Sequence, residues 1–292
     1  MSKFSKTVKL VIQEGDVTGI KTIELINWSI HGIICPRSRV ADLKMVDHSQ
    51  KPGVYILFSD DEAGKEVAYI GESEDACARI VQHLKDEDFE FKLAILFTSK
   101  DPNLTKAHVK FLENRLYNQA IKAKRVKVTN ASTPTASSLP KSDQDAMMEF
   151  AENIYILMGT LGHLLFVESA TISTETKQTK FEILHFDLPT FEIHARGRMD
   201  DEGFLVFKDS NASKEAVNSL QGGYKRLRDE LIKNAVLKSS DGKLVFGDNY
   251  LFDSPSAAAT IVAGGPRSGN SSWKNDIGKT LGETEVEKTA EN

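Results

Sequence analysis

Apolar and polar positions first alternate at Val8, Leu10 and Ile12, which predicts a strand. Glu14-Gly15-Asp16 supplies a turn, and Ile20 to Leu25 reads as the partner strand. Residues 33–50 are mixed loop with a short helix near Arg39 to Met45. After Pro52 the pattern sharpens. Val54 to Phe58 and Val67 to Gly71 are β-forming runs around an Asp60–Lys65 turn, which predicts an antiparallel hairpin. Ser73 is placed to cap a helix reaching about Leu84, with Glu74 and Asp75 in its first turn. Lys92 to Phe97 reads as a third strand. Val109, Leu112, Leu116 and Ile121 recur at helical spacing between about Leu104 and Lys124. Arg125 to Thr129 reads as an edge strand.

The Ser/Thr/Pro/Ala stretch from Asn130 to Pro140 marks a boundary. Beyond it, Met147, Ile154, Leu157, Met158, Leu161 and Leu165 predict a helix whose apolar face packs on the preceding domain. Glu168 to Lys180 is polar and reads as a flexible linker. A second unit then opens with a hairpin, Phe191–Ala195 and Phe204–Phe207 around Met199–Gly203. A helix across Lys214 to Lys238 capped by Ser213 follows, then one between Ser254-Pro255 and Gly264-Gly265. Trp273 closes this unit.

The 292 residues give a prior of about two domains and ample length for a core. With 40% hydrophobic and 27% charged residues, collagenous, disordered and coiled-coil classes are excluded. No apolar run approaches the roughly 18 residues of a membrane span, and the first residues lack the apolar stretch of a secretory signal. Cys35 and Cys77 form no disulfide framework and have no metal-ligand spacing, which suits a cytoplasmic protein. Neither do His31, Cys35 and His48 together. The net charge of −5 argues weakly against nucleic acid, but its distribution matters more. Eight Lys or Arg against two acids fall between Lys100 and Val128. Such a surface either holds a phosphate backbone or is a solvated helix face. Lys225, Arg226 and Arg228 form a second basic cluster, read as a solvated face, and the tail is acidic.

The candidate chemistry lies in an ordered set: Gly53-Val54-Tyr55, Tyr69-Ile70-Gly71, Arg79 and His83, Glu113, and Asn130. This set, across residues 52–131, resembles the GIY-YIG nuclease family. That pattern has two strand tripeptides, an Arg on the first helix, a Glu on the second and often a later Asn. Val54 in place of Ile keeps a β-branched residue. Asp16–Thr22 through Ala41–Leu43 is similar to the leader of one bacterial subgroup. Residues from about 190 to 282 resemble the uncharacterised domain that commonly follows it. The resemblance implies an α+β fold, with a small three-stranded antiparallel sheet flanked by helices, and metal-dependent hydrolysis of DNA phosphodiesters. The organisation expected is a β-rich extension (1–50), a nuclease domain (51–140), a helix and linker (141–188), an α+β domain (189–282) and a disordered acidic tail (283–292).

Phosphodiester hydrolysis needs an aligned water, a proton acceptor and neutralisation of charge on the phosphate and leaving oxygen. Tyr55 is assigned as general base, its pKa lowered by Arg79 and a divalent cation, with Tyr69 orienting water or phosphate. Arg79 offers bidentate donors to the phosphate. His83, four residues on, shares Arg79's helix face and either assists proton transfer, contacts phosphate or is an ordinary surface histidine. Glu113 is the metal ligand, for Mg²⁺ or Mn²⁺ with waters and substrate oxygens completing the shell. Asn130 is a further catalytic candidate. Ser73, Lys106, Lys110, Lys122, Lys124 and Arg125 are candidates for contacting nucleic acid, and Ser73 has the competing role of helix cap. Duplex cleavage would take a homodimer or sequential cuts, and no membrane partner is expected. The competing expectation is a catalytically silent nucleic-acid-binding or assembly module on the same fold.

Overall fold

The computed structural model describes residues 4–62, 64–86, 89–168, 182–217, 220, 222–240 and 242–290. The chain divides into two compact units, Met1–Glu168 and Ser169–Asn292. Each is mixed α+β. Among the described residues no helix is long and apolar enough to cross a membrane.

The first unit is built on one sheet. Its strands are β1 (Val8–Ile12), β2 (Lys21–Leu25), β3 (Ile30–Pro36), β4 (Gly53–Asp60), β5 (Glu66–Ser73), β6 (Leu93–Ser99) and β7 (Lys127–Val128), in the order β1-β2-β3-β6-β4-β5-β7. All neighbours are antiparallel except β5 and β7. The expected three-stranded sheet is therefore only the β6-β4-β5 part of a seven-stranded one. The strand Ile30–Pro36, read from the sequence largely as loop, pairs with β2 on one side and β6 on the other. That pairing joins β1, β2 and β3 of the N-terminal extension to the same sheet as β4, β5 and β6.

Strand β4 is buried along six consecutive positions because both faces of the sheet are covered. The alternation divides its side chains. Val54, Ile56 and Phe58 pack with helices α2 (Lys106–Ala123) and α3 (Lys141–Thr160). Tyr55 and Leu57 pack on the opposite face, with Ala76, Cys77 and Ile80 of helix α1 (Ala76–His83) and Val40 and Leu43 of a 3-10 segment, Arg37–Met45. Helix α3 buries Met147, Phe150, Ile154 and Leu157, so the expected packing of this helix on the first domain is observed. Asp75, rather than Ser73, caps α1: its carboxylate accepts from Ala78 N–H at 2.9 Å.

The second unit has two small sheets. One has the order β14-β10-β9-β8, formed by β8 (Leu184–Leu188), β9 (Ile193–Asp200), β10 (Gly203–Val206) and β14 (Tyr250–Phe252). The other is β11-β13-β12, from β11 (Asn211–Ala212), β12 (Leu237–Ser240) and β13 (Lys243–Phe246). Helices α4 (Gly222–Lys233), α5 (Pro255–Ala263), α6 (Gly269–Ser272) and α7 (Leu281–Ala290) complete it. The β9–β10 hairpin is the one expected around Met199–Gly203. Helix α5 starts and stops where expected: Ser254 accepts from Ala257 N–H at 3.1 Å, and Gly264 ends it at φ 69°. Trp273 is fully buried against Phe186 and Phe204 and donates its indole N–H to Pro255 O at 3.0 Å.

Other expectations are corrected. Helix α4 spans only Gly222–Lys233 of the long helix read across 214–238, since Leu237–Ser240 pairs in a sheet with β13. Ser213 does not cap it; its hydroxyl donates to Glu215 O. Most of the acidic tail is helical, because α7 buries Leu281 and Thr284 at its start. The linker read at 168–180 lies outside the described residues apart from Glu168. Arg228, read as part of a solvated basic face, is buried and donates to Ile261 O at 2.7 Å and to Ser213 O.

Candidate active site

The register of β4 and β5 pairs Tyr55 with Gly71, which sets Tyr69 diagonally across from Tyr55 on the same face. The two phenol rings lie 6.3 Å apart and 26° from parallel. The tripeptide glycines have separate steric reasons. A Cβ on Gly71 would lie 2.4 Å from Tyr55 Cζ and Oη, and one on Gly53 would lie 2.6 Å from Phe97 O on β6. Only glycine leaves room for the Tyr55 ring and for the close approach of β6.

Helix α1 carries Arg79 and His83 to this face. His83 is 5% exposed, so it is no surface histidine. Its ring stands 5.5 Å from that of Tyr55 and 5.1 Å from that of Tyr69. Its Nε2 is 2.9 Å from Tyr55 Oη and its Nδ1 is 2.5 Å from Asp86 Oδ2. Burial lowers the His83 pKa against the opposing pull of Asp86, which favours the neutral ring. Arg79 is exposed, donates to Gln82 Oε1 at 2.8 Å, and its charge acts on both phenols.

Without the divalent cation on which the expected lowering depends, the Tyr55 pKa stands above the ordinary phenol value. Burial of this phenol, 1% exposed, pushes its pKa up, and the neighbouring Tyr69 adds to the rise; Arg79 pulls the other way without offsetting them. Tyr55 is therefore a protonated donor at neutral pH in the metal-free protein. Tyr69 is only half-buried, and its pKa is also raised by burial.

Glu113 comes from α2, whose N-terminus is held by a Thr105–His108 capping box. Burial and the nearby Glu72 push its pKa up to about 7, opposed by Lys106 and Lys110. Its charge also raises the pKa of Tyr55 and of Tyr69. Glu72, directly after the second tripeptide, pairs with Lys106 at 2.8 Å. Among the described residues no cluster of three or more His, Cys, Asp or Glu could hold a metal.

Asn130 accepts from Ile70 N–H at 3.0 Å and donates to Ile70 O at 2.7 Å. Its amide thus extends the β5–β7 ladder by one rung and clamps the backbone of the second tripeptide. Ser73 Oγ accepts from Asp75 N–H at 3.2 Å. Of the basic candidates, Lys106 pairs with Glu72, Lys122 with Glu168 at 2.8 Å, and Arg125 donates to Val167 O at 3.1 Å. Lys110 and Lys124 are exposed. Cys35 and Cys77 are buried free thiols, and burial pushes the Cys35 pKa up to about 12. His31 and His48 pack edge to face at 5.2 Å.

The sequence reading did not single out Glu72 for its charge near Glu113, nor Asp86 at all. The available signals were the position of Glu72 beside the tripeptide and the three-residue spacing from His83 to Asp86, one turn along.

The model of a domain of unknown function (DUF4357) matches residues 184–285, within the second unit. No curated protein and no solved structure matches the chain.

Proposed function

We propose that the first unit is a metal-dependent endonuclease of the GIY-YIG type that hydrolyses DNA phosphodiesters. The observation that carries this reading is the convergence of Tyr55, Tyr69, Arg79 and His83 on one sheet face, with the charge of Glu113 acting on both phenols. The β6-β4-β5 core, with α1 on one face and α2 on the other, suits the fold this family implies.

A divalent cation fits the donor set. Glu113 and Glu72 are hard oxygen donors close enough for the charge of one to raise the pKa of the other, a strain that a cation relieves. One or two carboxylates with waters and phosphate oxygens is the usual Mg²⁺ environment. Glu113 would hold the ion, which supplies charge neutralisation for the leaving oxygen. Arg79, exposed beside the phenols, donates to the non-bridging phosphate oxygens. Tyr69, with its solvent access, orients the attacking water. Tyr55 hands a proton to His83, whose neutral ring can accept it. Lys110 and Lys124 offer the positive charge that attracts the phosphate backbone, and the paired Lys106 and Lys122 contribute less.

The test is nicking of supercoiled or branched DNA by the purified chain with Mg²⁺ or Mn²⁺, beside Glu113→Gln and Tyr55→Phe. Each substitution should reduce the rate by about 100-fold or more. Equal nicking by both variants, or none by the wild type across a broad substrate panel, overturns the assignment. Salt-sensitive DNA binding without cleavage would select a silent binding module on the same scaffold.

A further inference from the structure

We infer that Asp86 is a positioning residue for the proton-accepting step, holding His83 in the tautomer that can take a proton from Tyr55. The inference rests on the nuclease reading and adds to it a residue just beyond the end of α1. A carboxylate only accepts hydrogen bonds, so the 2.5 Å contact with Asp86 assigns the His83 proton to Nδ1. Nε2 then carries the lone pair, and the Tyr55 hydroxyl 2.9 Å away is its donor. Both ring nitrogens are thereby engaged in one direction, from phenol to imidazole to carboxylate.

An ordinary ion pair at a helix end does not account for this arrangement. His83 is 5% exposed, and its side chain makes the only link between Asp86 and the buried phenol pair among the described contacts. Asp86 itself is about half exposed and holds its place through Asp86 N–H to His83 O at 3.2 Å. The charged groups around the ring are Asp86 and Arg79; Tyr55 and Tyr69 face it from the sheet. Without Asp86, the cation Arg79 would oppose any positive charge on the imidazole.

The attacking water bonds to phosphorus as the bond to the leaving oxygen breaks. The water's proton enters through the phenols, and Tyr55 passes its own to Nε2. The imidazolium is neutralised by Asp86, the leaving oxygen takes a proton from solvent, and His83 later returns one to solvent. This is the orientation-plus-charge role that a carboxylate plays behind a catalytic histidine.

Two measurements on the full chain test it. The first uses ¹⁵N-histidine NMR on metal-free protein, with a His83→Gln variant to assign the signal. Wild-type His83 should be in the Nδ1–H form near neutral pH. Asp86→Ala should move it toward Nε2–H, and Asp86→Glu should restore Nδ1–H at least in part. The second compares Mg²⁺-dependent DNA nicking. Asp86→Ala should lower kcat by about 10- to 100-fold with KM for DNA and the thermal midpoint little changed, and Asp86→Glu should recover part of the rate. An Nε2–H wild type, or an Asp86→Ala variant with unchanged tautomer or unchanged kcat, overturns the inference. A wild type that cleaves no DNA while showing the Nδ1–H form overturns the nuclease reading, and with it the catalytic part of the inference but not the contact.

Discussion

The Tyr55 ring lies where a side chain on Gly71 would be: a Cβ there would sit 2.4 Å from both Cζ and Oη of the phenol. The two residues are register partners across the β4–β5 ladder. The glycine of one tripeptide thus exists for the tyrosine of the other. That ring in turn reaches His83.

Gly71→Ala should therefore act through Tyr55. Overpacking between two central strands costs about 1–3 kcal/mol, and the displaced phenol loses its bond to His83. Urea unfolding should show the destabilisation. A midpoint equal to wild type would contradict the close approach.

Asn130→Ala should behave as a stability variant. It removes both partners of the Ile70 backbone, with an expected loss of about 1–3 kcal/mol. Asn130→Asp keeps the acceptor for Ile70 N–H but sets a carboxylate against Ile70 O, so it should be no better than alanine. Thermal unfolding and amide exchange at Ile70 check this. Full stability with abolished nicking would instead mark Asn130 as a catalytic side chain.

Glu113 predicts a pH dependence in the metal-free chain. Its folded pKa is pushed up to about 7 from the ordinary 4.5. Between these values the folded state binds the extra proton, so stability is fully present below about pH 4.5 and falls as pH rises through 7. Allowing for solvent screening of a partly exposed carboxylate, the loss is about 1 kcal/mol. Glu113→Gln should remove that slope, so the difference between the two proteins' urea midpoints should grow from pH 5 to pH 8 in EDTA. A constant difference would show that the carboxyl is not raised.

Arg228→Met should destabilise the second unit by about 1–3 kcal/mol, because Ile261 O, in the last turn of α5, and Ser213 O lose a buried donor. In a Trp28→Phe background the fluorescence of Trp273 reports this unit alone. Its transition should move to lower urea, while the histidine signals of the first unit melt as before.

The legible parts were those governed by local chemistry. Val54–Phe58 and Val67–Gly71 announced a hairpin through apolar runs around a turn, and Ser254-Pro255 with Gly264 announced both ends of α5. The strand Ile30–Pro36 was missed because a buried central strand has no alternation to read. Its place depends on β6, more than fifty residues later. The long helix read over 214–238 failed since Leu237–Ser240 is claimed by β13, and tertiary pairing outweighs helix propensity.

The site divides in the same way. From the chain alone came the residue types, their order, the placing of both tyrosines on paired strands and the i,i+4 placing of Arg79 and His83, because strand pairing and helical periodicity are short-range geometry. Only the folded molecule decided their protonation. Tyr55 holds its proton since the sheet and α1 bury it, Glu113 is raised by Glu72 and by burial, and Asn130 is drawn to Ile70 across sixty residues. Desolvation and long-range hydrogen bonds depend on what surrounds a side chain in space, and that information has no local signature in the sequence.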